Sequence, residues 1–154
     1  MLIAEAIGIG LVVSLMFTEA VGFAAGGFVV PGYIALYLDR PLQVLGTILA
    51  ALLTYGCLRL AGRHLLIYGR RSLVLAVLLG FIFGGLTSHL PSLGFADMNG
   101  AFAAIGFIIP GLLAYWMTRQ GILQTLAAMV VASVLVRVAL IILHGGRLLE
   151  TTLL

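Results

Sequence analysis

An apolar run broken by Pro-Gly occurs twice in this chain, and it rules out a simple bundle of uninterrupted helices. Residues 27–35 read Gly-Phe-Val-Val-Pro-Gly-Tyr-Ile-Ala, and residues 106–114 read Gly-Phe-Ile-Ile-Pro-Gly-Leu-Leu-Ala. The offset is 79, from Pro31 to Pro110, and Arg40 meets Arg119 at the same offset. Six of the fourteen positions from Gly27 to Arg40 are identical in the second stretch. A one-residue slip brings Thr47 onto Thr125 and Arg59 onto Arg137. The chain therefore reads as one membrane domain, residues 1–154, made of two copies of one unit, about 1–71 and 72–150.

Composition decides where such a chain lives. It is 63% hydrophobic and only 8% charged over 154 residues, whereas soluble domains carry roughly a quarter of charged residues. An integral membrane protein is the class this defines. All eight basic residues are arginines, which excludes a P-loop lysine and a Schiff-base lysine. The single cysteine, Cys57, makes neither an internal disulfide nor a cysteine-rich metal site.

About 20 residues at 1.5 Å each cross the hydrocarbon core as a helix. Four stretches qualify: Leu2 to Ala20, Leu42 to Ala61, Ser72 to Leu90, and Ile122 to about His144. The first carries Glu5, no basic start and no small-residue cleavage site, and so reads as a retained span. Gly80, Gly84 and Gly85 in the third invite close approach of a neighbouring helix. Residues 21–38 and 101–117 are also apolar but broken. Glycine costs about 1 kcal/mol in a helix interior and proline about 3, while proline is at home in a first turn. The expectation is non-helical chain up to Val30, then a short helix from Pro31 to about Leu38, with a counterpart at Pro110. Tyr115 and Trp116 near its end read as interfacial aromatics. The fold class is thus an all-α polytopic membrane protein with four full spans and two broken segments.

Arginine counts bear on orientation through the positive-inside rule. With re-entrant broken segments, six arginines (Arg59, Arg63, Arg70, Arg71, Arg137, Arg147) lie inside and two (Arg40, Arg119) outside. With crossing segments each unit has three passes, the repeat is inverted, and the split becomes five to three. The rule leans slightly to the re-entrant form, yet inverted repeats around broken helices are a recurrent transporter architecture. Both arrangements stand.

Paired interruptions in two halves point to a membrane binding site. A helix starting at Pro31 or Pro110 exposes unpaired N–H groups and the positive end of its dipole. Pro31, Gly32, Tyr33, Pro110 and Gly111, with Arg40 and Arg119 beyond them, are therefore candidate anion-binding residues; a kink that merely lets the halves fit together is the plainer reading. Glu19 and Asp97 stand before the two broken segments as a weaker candidate pair of coupling carboxylates. Arg63, Arg70 and Arg71 form a basic loop suited to docking a cytoplasmic partner, or simply to fixing topology. His64, His89 and His144 are solitary, without metal-ligand spacing. No self-sufficient active site and no nucleotide site is visible.

Five ordered motifs then carry a resemblance. Glu19-x-x-Gly22, Gly27-Phe-Val-Val-Pro-Gly-Tyr33, Leu53-Thr54-Tyr55, Ile67-Tyr-Gly-Arg-Arg71 and Ile105-Gly-Phe-Ile-Ile-Pro-Gly-Leu-Leu-Ala114 stand in this order between about residue 5 and residue 143. They resemble the small membrane component of bacterial poly-γ-glutamate synthase, the PgsC or CapC family. The resemblance implies a multi-pass protein of the bacterial cytoplasmic membrane. Its implied partners are a cytoplasmic ATP-dependent amide ligase (PgsB/CapB-like) and a largely extracytoplasmic component (PgsA/CapA-like). Together they would polymerise glutamate through its γ-carboxylate and pass the polyanion outward. ATP and a divalent metal are expected on the ligase and no cofactor on this chain. Membrane lipid surrounds it, nucleic acid is no partner, and a homo-oligomer is left open. The run Ala101-Phe-Ala-Ala104 departs from the family, where a basic residue often stands, so no anion-binding role carries over there. A stand-alone small anion or amino-acid transporter and a structural anchor for the ligase are the alternatives.

Overall fold

The computed structural model describes residues 2–66, 68–89 and 106–145. Within them lie six helices: α1 (Leu2–Val21), α2 (Val30–Tyr37), α3 (Pro41–His64), α4 (Arg70–His89), α5 (Ile109–Gln120) and α6 (Ile122–Leu143). Four of them, α1, α3, α4 and α6, are long and apolar enough to cross a membrane. Their outward surfaces are apolar as well; Met16, Leu53, Val74 and Ile142 are all more than half exposed. That is the surface a lipid solvent requires.

Proline starts the short helices. Pro31 and Pro110 sit in the first turns of α2 and α5, where a missing N–H costs nothing. The chain ahead of α2 is non-helical from Gly22 to Val29. Gly26 and Gly27 there take φ of +80° and +117°, a region that only glycine enters without strain. Gly106 ahead of α5 does the same at +66°.

The helices form two interlaced groups of three. In one, α1, α2 and α6 all touch one another; in the other, α4, α5 and α3 do. Each short helix lies on a surface of small residues. A methyl group added at Gly10 would sit 2.7 Å from the Gly32 Cα, and one at Gly80 would sit 2.3 Å from the Gly111 nitrogen. Ala6 and Gly10 on α1, and Ala76, Gly80 and Gly84 on α4, recur at four-residue spacing, which lines small residues along one helix face. Between the groups, Val30 and Ile34 of α2 meet Ile109, Leu113 and Met117 of α5, with Ala51 and Met129.

Contacts along α1 fix the course of the first broken segment. Ser14 Oγ donates to the Gly27 carbonyl (3.4 Å), Gly32 touches Gly10 and Ala6, and Ala35 clusters with Ala6. The chain from residue 22 to 37 therefore runs the length of α1, from its C-terminal end back to its N-terminal end. On α4, Gly84 meets Phe107, Gly80 meets Gly111, and Ala76 meets Ala114. Over the described residues, the small-residue contacts hold each of these segments antiparallel along its neighbour.

Two faces result. The first gathers the start of α1, the end of α2, the start of α3 and the end of α6, where His144 Nε2 lies 3.1 Å from Glu5. The second gathers the ends of α1, α3 and α5 with the starts of α4 and α6. There the Gln120 side chain grips the non-helical segment. Its Oε1 accepts from the Ala24 N–H (3.0 Å), and its Nε2 donates to the Ala24 carbonyl and to Thr125 Oγ1 (3.1 Å). One amide thus pairs both backbone groups of a residue that lies outside any helix.

Candidate anion-binding cleft

The residues singled out around Pro-Gly are packed rather than open. Pro31, Gly32, Pro110 and Gly111 are buried, and Tyr33 leans on the central apolar cluster. The starts of α2 and α5 do approach one another, but through Val30 and Ile109 in that cluster. Arg40, before α3, and Arg119, at the end of α5, lie on opposite faces. Glu19 is exposed at the end of α1, and Asp97 lies outside the described residues.

A cleft of about 740 Å³ opens instead on the second face. Helix α3 contributes Tyr55, Arg59 and Arg63, α5 contributes Tyr115, Thr118 and Arg119, and Tyr68 and Gly69 ahead of α4 close it with Ser72 of α4. The side chains come in matched pairs. Arg59 Nη1 donates to the Tyr55 hydroxyl (2.9 Å), and Arg119 Nη1 donates to the Tyr115 hydroxyl (3.0 Å). Each pair is four residues apart on its helix, which places both members on one face. The Arg119 guanidinium also lies 5.6 Å from the Tyr115 ring centroid, within cation–π range. Thr118 Oγ1 donates to the Tyr115 carbonyl (2.6 Å).

Charge is the chemistry of this cleft. Three arginines line it, and no aspartate or glutamate does among the described residues. A guanidinium that donates one hydrogen bond to a phenol hydroxyl has further N–H donors, and carboxylate or phosphate is the ligand that matches its fork. Arg70 and Arg71, at the start of α4 beside the cleft, are exposed. Arg63, Arg70, Arg71 and Arg119 are all candidates in the sequence, but there Arg119 belongs with Arg40 at the Pro-Gly site. Tyr55, Tyr115 and Gln120 escape sequence reasoning as site-forming residues; the Tyr-x-x-x-Arg spacing, present twice, is the signal that could have found the tyrosines. Trp116, expected as an interfacial aromatic, has its indole nitrogen 3.6 Å from where a methyl group on Gly27 would stand, against the non-helical chain.

On the first face the corresponding cluster is built alike and charged differently. Ala6, Ala35, Val136 and Leu140 pack there, as Leu58, Ala76 and Ala114 pack beside the cleft. The first-face arginine, Arg137, is not open. Its Nη2 donates to both oxygens of Asp39 at 2.8 Å, and its Nη1 donates to the Ala35 carbonyl (3.0 Å).

Fold and cleft together define a class: a small helical protein with span-length helices, two short helices on glycine surfaces, and an arginine-lined cleft at a helix-end face. The comparisons with known proteins narrow this to a family. The Capsule biosynthesis CapC family matches residues 9–126, and the chain belongs to it. The chain is similar to the "Capsule biosynthesis protein CapC" of Bacillus anthracis, 33% identical over 130 residues, covering 83% of this chain and 86% of that protein. It is also similar to the "PGA biosynthesis protein CapC" of Bacillus subtilis (strain 168), 32% identical over 127 residues, covering 81% and 84%. No solved structure matches.

Proposed function

We propose that this chain is the membrane component of a poly-γ-glutamate synthase, supporting a cytoplasmic ATP-dependent ligase and the passage of the polyanion across the bacterial cytoplasmic membrane. The observation that carries this reading is the cleft: Arg59, Arg63 and Arg119 with no lining carboxylate among the described residues, in a chain of the CapC family. A polymer with one carboxylate per residue is a ligand such a surface selects.

The same proposal gives the chain six passes and an inverted repeat. Units of about 1–71 and 72–150 would each supply a long helix, a broken segment and a second long helix, with the third helix of each unit packed in the other's group. Matching contacts support it: Gly32 on Gly10 answers Gly111 on Gly80. Among the described residues, the cleft face carries Arg59, Arg63, Arg70, Arg71 and Arg119, against Arg40 and Arg137 on the first face. The positive-inside rule therefore makes the cleft face cytoplasmic, where a ligase would deliver its product.

The test is polymer output in a bacterium lacking its own CapC-family protein and supplied with this chain and its two partners. Arg59→Ala with Arg119→Ala should lower output at least about tenfold, since a hydrogen bond to a charged group contributes about 1.5–3 kcal/mol. Normal output at normal abundance would sink the reading. A stand-alone anion transporter is the second reading, favoured by broken helices in a paired arrangement. It requires glutamate uptake by liposomes containing this chain alone, and the synthase reading expects none.

A further inference from the structure

The two faces share one scaffold, and an exchange of Asp39 for Thr118 sets apart the surroundings of their corresponding arginines. Arg137 at the end of the α1·α2·α6 group corresponds to Arg59 at the end of the α4·α5·α3 group, at an offset of 78; Asp39 corresponds to Thr118, at an offset of 79. The residues around them correspond as well. Ala6, Ala35 and Val136 pack on one face, and Ala76, Ala114 and Leu58 pack on the other. On the first face the side chain of Arg137 is only 16% exposed and is closed by Asp39 at 2.8 Å. On the cleft face Thr118 stands where Asp39's counterpart would be. Arg59 there has the neutral Tyr55 hydroxyl at 2.9 Å.

We infer that Thr118 is what keeps the carboxylate-binding site of the cleft open, and that Asp39 closes the equivalent site on the opposite face. The chain thereby binds a carboxylate-bearing chain from one side only. This rests on the cleft being an anion site and adds what decides its sidedness. The physics is competition. An internal carboxylate at hydrogen-bond distance acts at far higher effective concentration than any ligand and occupies the guanidinium fork. A threonine at that position offers no charge. A polyanion bound at one face and met by a neutralised arginine at the other has a place to load and no matching place to be retained.

Binding to the full chain in nanodiscs of phosphatidylcholine tests this, with a fluorescent γ-linked glutamate decamer as probe. Thr118→Asp should weaken binding at least about tenfold, the scale of a charge-assisted hydrogen bond. Thr118→Asn, of similar size to Asp without the charge, should weaken it less than about threefold. Asp39→Asn should add a second binding site, raising the stoichiometry from one toward two. Thr118→Asp binding within about twofold of the unaltered chain overturns the inference, and so does Thr118→Asn weakening as much as Thr118→Asp. If Thr118→Asp does not fold, Asp39→Asn decides, and an unchanged stoichiometry overturns it. Repeating the titration with phosphatidylglycerol nanodiscs separates polymer from lipid. Loss of probe binding there, with no effect of Thr118→Asp in phosphatidylcholine, assigns the arginines to lipid headgroups and overturns it. Failure here with intact dependence of polymer output on Arg59 and Arg119 leaves the synthase reading standing; failure of both removes the site.

Discussion

Single glycines carry this fold at the residue scale, and they are not equivalent. Gly111 faces the Ala76 carbonyl, which a methyl group would approach to 2.5 Å, while a methyl group on Gly56 meets nothing within 4 Å. Gly111→Ala should therefore destabilise the protein by about 1–3 kcal/mol, the usual cost of overpacking. Gly56→Ala should stabilise it by about 0.5–1 kcal/mol, because alanine loses less backbone entropy in a helix. Thermal unfolding in detergent followed by circular dichroism checks both; a loss for Gly56→Ala equal to that of Gly111→Ala would contradict the contact geometry. Gln120→Ala would leave the Ala24 N–H and carbonyl without their partner, costing about 2 kcal/mol or more for groups held away from water. The same measurement reads it.

Elements are where sequence expectation and structure part company. A Pro-Gly break does not say whether the chain beyond it continues or returns. The answer lies on the partner helices, in the small-residue rows of α1 and α4 that hold the broken segments antiparallel. In a Cys57→Ser background, Arg40→Cys and Thr118→Cys should be labelled by an impermeant maleimide from opposite sides of the membrane, Arg40→Cys from outside. Labelling of both from one side would restore the re-entrant arrangement. Pro31→Ala tests the helix start itself. Pro31 is buried in the first turn of α2, so its substitution should lower abundance and polymer output together; a fall in output alone would give the helix end a direct role with the anion.

For the whole molecule, the cleft and the exposed pair Arg70 and Arg71 share one face. Docking a ligase there would place newly made polymer beside Arg59 and Arg119. Charge reversal, Arg70→Glu with Arg71→Glu, should reduce recovery of the ligase with this chain at least about fivefold while the chain remains inserted in its original orientation, as expected when charge pairs across an interface turn repulsive. Undiminished recovery would remove Arg70 and Arg71 from any contact with a ligase.

Composition and hydropathy by themselves determined the four long helices, because a chain this apolar has few other ways to satisfy its backbone in lipid. Proline placement likewise determined where α2 and α5 begin, since the ring suits only a first turn. The five ordered motifs were enough to reach the family. Tertiary structure alone decided the course of the broken segments and the location of the charged site. Arg40 and Arg119 are equivalent in the sequence, yet antiparallel paths send them to opposite faces. Arg59 and Arg137 are equivalent too, yet one faces a tyrosine hydroxyl and the other a carboxylate. Matching runs in the sequence set Arg59 beside Arg137 on paper; only the packed chain brings Asp39 to Arg137 across 98 positions and leaves Arg59 against a phenol hydroxyl.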